Sequence, residues 1–241
     1  MFDRLRSWLT GRRIDKVQVP DTLWDTVEQR LRFLTYLKPD DRVRLRALAR
    51  EFLAVKQFYG AHDLVLDDEM LLTIALQACL PILNIGLHAY RDWVGVVIYP
   101  GDFVVPRSQM DEDGVVHEFD DEVLGEAWEQ GPVIISWQED AGLPDGVNVV
   151  IHEFAHKLDM ANGQADGFPH LPPGMSRTDW AKAFEEAYDE LCRQVDADEA
   201  TALDPYASEH PAEFFAVASE AFFETPASLR QAFPSVYEQL T

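Results

Sequence analysis

Cysteine is nearly absent from this chain: its 241 residues include two, Cys79 and Cys192, far apart in the sequence. Each lies in a stretch with apolar helical periodicity, so no disulfide framework is indicated and a reducing compartment suits the protein. Basic residues are scarce too, with 20 Lys and Arg against 43 Asp and Glu and a formal net charge of −23. Such a field repels phosphate backbones and argues against direct nucleic-acid binding. It favours basic partners or peptides, an attraction that salt weakens. The deficit is uneven, because the first 60 residues hold 13 basic and 8 acidic residues.

Long apolar runs are missing as well. A membrane span needs roughly 18 uninterrupted apolar residues, and the longest candidate, residues 70–90, is broken by Gln77, Pro81, Asn84 and His88. Residues 1–17 carry a charge every few positions and have no apolar core of the kind a secretory signal requires. These absences predict a soluble, cytoplasmic protein. Hydrophobic residues at 47% and aromatics at 11% give a globular composition, and the length suffices to bury one sizeable core.

The chain reads as helices first and strands later. Leu23, Trp24, Val27, Leu31, Leu34 and Leu37 predict a helix over 22–37, and Asp40 or Asp41 is placed to cap the next one. A third helix fits 67–80, capped by Asp67 or Asp68. From residue 93 the texture turns β-branched, with strands expected at 93–99, 103–106, 115–119 and 131–137 and a turn at Asp145-Gly146. Pro132 favours an edge or first-residue position for the last of these strands. Further helices fit 178–195 and 211–224, the latter with Pro211 in its first turn and Thr225-Pro226 as its stop.

Residues 152–156 read H-E-F-A-H. Four residues apart on a helix, His152 and His156 lie on one face and aim their imidazoles at one point, with Glu153 beside it. Composition alone predicts such a match on the order of once in a hundred chains of this kind. The flanking Val149, Val150, Ile151, Leu158 and Met160 wrap the segment in apolar surface, as in a core helix; Asn148 is placed to cap it and Asn162-Gly163 to close it. The point suits Zn²⁺, which in catalytic sites takes three protein ligands. The metzincin pattern would need Gly at 159 and His at 162, where this chain has Asp159 and Asn162. A later Glu is the other common third ligand. Glu213 is the first candidate, a carboxylate amid Phe214, Phe215, Ala218, Ala221 and Phe222. A helix-dipole carboxylate is its structural alternative. Glu220, two turns on, is a rival ligand or an outer partner, and Glu209 is a weaker rival. Asp159 or Glu220 could also orient a ligand imidazole.

H-E-F-A-H-K-L-D at 152–159, D-P-Y at 204–206 and P-A-E-F-F-A-V-A-S-E-A-F-F at 211–223 resemble the Mlc titration factor A (MtfA) family of gluzincin-type zinc peptidases. The likeness extends to I-D-K-V-Q-V-P-D-T-L-W at 14–24 and A-D-G-F-P at 165–169, and the spacing of Tyr206 and Glu213 is similar to the catalytic domain of anthrax lethal factor. The resemblance implies one zinc per chain on His152, His156 and Glu213, Glu153 as general base and Tyr206 as a hydrogen-bond donor in the transition state. It implies an α+β fold, a mainly helical zincin-like metallopeptidase with a small mixed β-sheet next to the H-E-x-x-H helix. Residues 1–241 are then a single zinc metallopeptidase domain, with a basic helical part at 1–60 and the strands and catalytic helices at 90–241.

The implied activity is aminopeptidase, for which acidic Asp204 or Glu209 offers a hold on a free amine. A peptide substrate is expected to extend along the edge strand near 132–137. The family's name points to a different class of function, a regulatory protein that binds and sequesters an Mlc-like transcriptional repressor without hydrolysis. The intact H-E-x-x-H, Tyr206 and Glu213 favour retained catalysis, since a pure titrator needs none of them. A purely structural zinc site is disfavoured, because such sites are mostly closed by four Cys or His ligands. Neither nucleic acid nor membrane is an expected partner.

Overall fold

The computed structural model describes residues 18–101, 103–110, 116–123, 125–128, 131–137 and 146–241. Residues 14–17 of the expected entry segment, Val115 and Asp145 lie outside them.

Helices α1 (Asp21–Arg30), α2 (Pro39–Val55) and α3 (Asp68–Cys79) form the first layer. The helix expected over 22–37 is broken: Leu31 leaves helical geometry, and a 3₁₀ turn (Arg32–Tyr36) follows that buries Phe33 and Leu34. Neither Asp40 nor Asp41 caps α2. Lys38 stands at its N-cap with no side-chain bond, Pro39 fills the first helical position, and the two aspartates sit in the first turn, where the helix dipole favours them. Asp67 does cap α3, its Oδ1 accepting from the Met70 amide at 2.8 Å.

Strands β1 (Gln57–Gly60), β2 (Gly95–Tyr99), β5 (Gly125–Ala127) and β6 (Val133–Ser136) make a mixed sheet in the order β1-β2-β6-β5. β1, β2 and β6 run parallel and β5 returns antiparallel to β6. β3 (Phe103–Met110) and β4 (Val116–Val123) form a separate antiparallel pair. β6 is therefore an inner strand, contrary to the edge position expected for 132–137. Pro132 sits one residue before it, where no ladder hydrogen bond is lost, and β5 takes the edge.

The sheet rests on α4 (Val149–Asp159), which carries the H-E-F-A-H residues. Helices α5 (Arg177–Asp196), α6 (Pro211–Glu224), α7 (Pro226–Ala232) and α8 (Pro234–Leu240) complete the chain. α4 lies between two apolar clusters. Val150, Ile151 and Phe154 belong to the one formed with α1–α3 and the sheet, and Ala155 to the one formed with α5–α8. Phe154 sits in an aromatic nest, with ring centroids 5.6 Å from Phe52, 5.4 Å from Tyr90 and 5.6 Å from Trp93. A fully buried phenyl of this kind contributes about 2–3 kcal/mol, so the helix is anchored from behind while its other face is free to carry polar groups. No helix among the described residues is long and apolar enough to cross a membrane.

Candidate metal centre

The first turn of α4 is held by Asn148, whose Oδ1 accepts from the Ile151 amide at 3.0 Å. Its Nδ2 donates to Gln77 Oε1 and to Glu224 Oε1, each at 2.7 Å, so α3, α4 and α6 meet at one buried amide. α6 crosses α4 with Glu213 in its first turn, where free amides and the dipole favour a carboxylate, after His210 accepts from the Ala212 amide at 3.1 Å.

This crossing brings His152, His156 and Glu213 together. His152 Nε2 lies 3.1 Å from Glu213 Oε2 and 3.1 Å from His156 Nε2, and His156 Nε2 lies 3.3 Å from the same carboxylate oxygen. The three donors form a nearly equilateral triangle, and they are the one His/Cys/Asp/Glu group among the described residues spaced to hold a metal ion. Two ring nitrogens and a carboxylate oxygen are a donor set that suits a first-row transition metal.

Glu220 is an outer partner. Its Oε1 accepts from His152 Nδ1 at 2.8 Å and its Oε2 from the Asn148 amide. A carboxylate on Nδ1 leaves the Nε2 lone pair of neutral His152 for a metal. Burial disfavours a charged His152, but hydrogen bonds to Glu213 and Glu220 outweigh it and raise its pKa to about 10. Burial also opposes ionisation of Glu213, and the two histidines overcome it, holding that carboxyl well below the usual range.

Asp159 has a different role from Glu220. It is fully buried, its Oδ2 accepts from the Gly167 amide at 2.7 Å, and it ties the loop after α4 in place. Burial raises its pKa to about 6, against the lowering effect of that amide. Glu153 is 5% exposed and adds to the negative field on His152. Its carboxyl lies beneath β5: a Cβ at Gly125 would fall 2.6 Å from Glu153 Cδ, a distance only glycine avoids.

Tyr206 stands on a 3₁₀ turn (Pro205–Ser208) capped by Asp204, whose Oδ1 accepts from the Tyr206 amide at 2.9 Å. Tyr188 of α5 holds the turn through Ser208 O at 2.9 Å. The Tyr206 ring is 46% exposed and its centroid is 6.2 Å from that of His152. Glu209 and Asp204 are exposed beside this turn, outside the triangle.

Sequence reasoning did not find Gln77, Glu224, Gly125 or Lys157. Lys157 carried the one available signal, a cation inside an apolar helix; the others are brought in by contacts between distant segments.

Residues 5–241 match the family model described as glucose-regulated metallo-peptidase M90. The Mlc titration factor A of Pectobacterium atrosepticum is 39% identical over 209 residues, 85% of this chain and 78% of that protein. The Mlc titration factor A of Salmonella arizonae is 37% identical over 227 residues, 92% and 90% of the two chains. An uncharacterized Synechocystis protein, slr2042, is 36% identical over 240 residues, 97% and 87%. With a nearly full-length family match and relatives of this similarity along most of its length, the chain belongs to the glucose-regulated metallo-peptidase M90 family.

Proposed function

We propose that this protein is a cytoplasmic zinc aminopeptidase with a zincin-like fold and one metal on His152, His156 and Glu213. The observation that carries the reading is the donor triangle with sides of 3.1, 3.1 and 3.3 Å. A tetrahedral zinc with bonds of ~2.0–2.1 Å sets its ligand atoms roughly 3.3 Å apart, so the three side chains fit that ion with little movement. Zinc bound there supplies Lewis acidity and brings the pKa of water down toward ~7.

The side chains of the chain itself do the rest. Glu153 is the general base: it takes the proton of the attacking water and hands it to the leaving amine. The Tyr206 hydroxyl donates a hydrogen bond to the oxyanion that develops on the carbonyl. Glu220 keeps His152 in the ligating tautomer. The substrate lies along β5, the sheet edge nearest Glu153 among the described strands, and gains main-chain hydrogen bonds by strand addition. Asp204 and Glu209, exposed beside the Tyr206 turn, offer negative charge to a free α-amine.

A second reading has its own support in the name of the Pectobacterium and Salmonella relatives, Mlc titration factor A. On this reading the protein binds and sequesters a transcriptional repressor. The acidic charge of −23 suits a basic protein surface better than nucleic acid or an anionic membrane.

One set of variants separates the two readings. Glu153→Gln should keep its zinc and lose hydrolysis of free-amine peptides, and Tyr206→Phe should lower kcat by about 10²-fold with zinc content unchanged. Hydrolysis of blocked peptides only would refute the aminopeptidase assignment, and wild-type turnover by Glu153→Gln would refute the mechanism. Capture of an Mlc-type repressor by Glu153→Gln would establish binding as a function separable from catalysis.

A further inference from the structure

β5 ends the sheet, so its outer edge is unpaired among the described strands. Gly125, at its start, lies against Glu153. Three residues further, about 10 Å along an extended chain at ~3.3 Å per residue, stands Trp128. This indole is 52% exposed, yet it is not a loose surface side chain.

Trp128 follows β5 directly, and backbone hydrogen bonds tie it to the residues that lead into β6. Its amide donates to Pro132 O at 3.3 Å, and its carbonyl accepts from the Gly131 amide at 3.1 Å. A Cβ at Gly131 would fall 2.8 Å from Trp128 Cβ and 3.2 Å from its Cε3, so the indole lies across a position that only glycine leaves clear. Lys157 of α4, next to His156, reaches up from below. Its Nζ donates to Trp128 O at 2.5 Å and to Gly131 O at 3.3 Å, and lies 5.1 Å from the Trp93 ring centroid. Lys157 is 2% exposed. Burying an ammonium is expensive unless its protons are all placed, and here that expense ties Trp128 to the helix that carries the metal residues.

A half-exposed aromatic, packed over Gly131 and following a substrate-binding edge, offers apolar contact area to a peptide laid along that edge. We propose that Trp128 is the wall of a subsite for a large apolar side chain of the peptide substrate, about three residues to the carboxyl side of the bond that is cut, and that Lys157 is the positioning residue that fixes this wall relative to the metal centre. The inference rests on the peptidase reading above. It makes the protein selective for peptides with an aromatic or large aliphatic residue at that distance, and Gly131 and Lys157 serve the same end by fixing where the indole stands.

The test uses internally quenched peptides with a free N-terminus, in which Phe or Ser occupies in turn each position two to four residues to the carboxyl side of the cleaved bond. The wild-type enzyme is expected to prefer Phe at one of these positions by about tenfold in kcat/KM, chiefly through KM. Trp128→Ala should bring that ratio close to one. Lys157→Met should lower it and Lys157→Arg should restore part of it. A ratio between two substrates is insensitive to the amount of folded enzyme, so a general loss of structure does not mimic the effect. A wild-type ratio near one at every position, or a preference that survives Trp128→Ala, overturns the inference. Failure of the wild-type enzyme to cut any peptide refutes the peptidase reading instead.

Discussion

Replacing Glu220 by Gln tests the logic of the metal centre with a change of one atom. Glu220 faces two donors, the Asn148 amide on Oε2 and His152 Nδ1–H on Oε1, the latter at 2.8 Å. Glutamine brings one acceptor and one NH₂, so one of the two contacts must become donor against donor. The backbone amide cannot change, but imidazole can. If the new NH₂ faces His152, the ring moves its proton from Nδ1 to Nε2 and loses the lone pair that a metal needs. Outer partners of this kind are worth about 10–100-fold in metal affinity, or roughly 1.4–2.7 kcal/mol. If the NH₂ faces Asn148 instead, metal affinity survives and the N-terminus of α4 carries the cost, about 1–3 kcal/mol for a buried unsatisfied donor. A zinc competition titration against a chromogenic chelator reads the first outcome, and urea melts of metal-free protein read the second. Glu220→Gln with wild-type values in both measurements would refute the assignment of Glu220 as the group that sets the His152 tautomer.

Two more perturbations follow from the same geometry. Gly125→Ala places a methyl 2.6 Å from Glu153 Cδ, so the carboxyl or the strand must shift by about 1 Å. Such a displacement should lower kcat by about 10²-fold with bound zinc unchanged, and full activity in this variant would mean that β5 yields without disturbing Glu153. Asp159, with its carboxyl raised to about 6 in the folded protein, holds a proton more tightly there than when unfolded. Its contribution is therefore complete below pH ~4 and is lost as pH rises through 6, a change of up to about 3 kcal/mol. Asp159→Asn keeps an acceptor for Gly167 and never ionises. In metal-free urea melts it should match wild type near pH 4 and exceed it above pH 7; a difference constant across that range would show Asp159 ionised throughout.

What could be read in the sequence is what a single segment encodes. The four-residue step from His152 to His156 fixes their common face whatever surrounds them, and Asp67 and Asn148 cap the helices that begin at the next residue, each accepting from the amide three positions on. Glu213 stood out as a carboxylate amid apolar neighbours, but its first-turn position also fitted a helix-dipole role, and only the fold brings it against His152 and His156. The sheet was harder, since partners distant in sequence define its strands. Q-F-Y-G at 57–60 becomes β1 only by pairing with β2, and G-E-A at 125–127, with no β-branched residue, becomes the edge only by pairing with β6. Pro132 signalled a strand end rather than a sheet edge, two roles that one missing amide donor cannot tell apart.

The same distinction separates the residues of the donor triangle from what arranges them. His152 and Glu213 are 61 residues apart, and the angle at which α6 crosses α4 decides whether they meet. That angle is held where Asn148 bonds Gln77, Glu224 and Glu220 at once, a junction of three helices in which each group is ordinary by itself. Glu213 and Glu220, seven residues apart on α6, both face His152, yet they bond opposite nitrogens of one ring. Glu213 joins His156 on the Nε2 side while Glu220 holds Nδ1, and which carboxylate takes which nitrogen follows from the end of α6 that lies over the Asn148 amide.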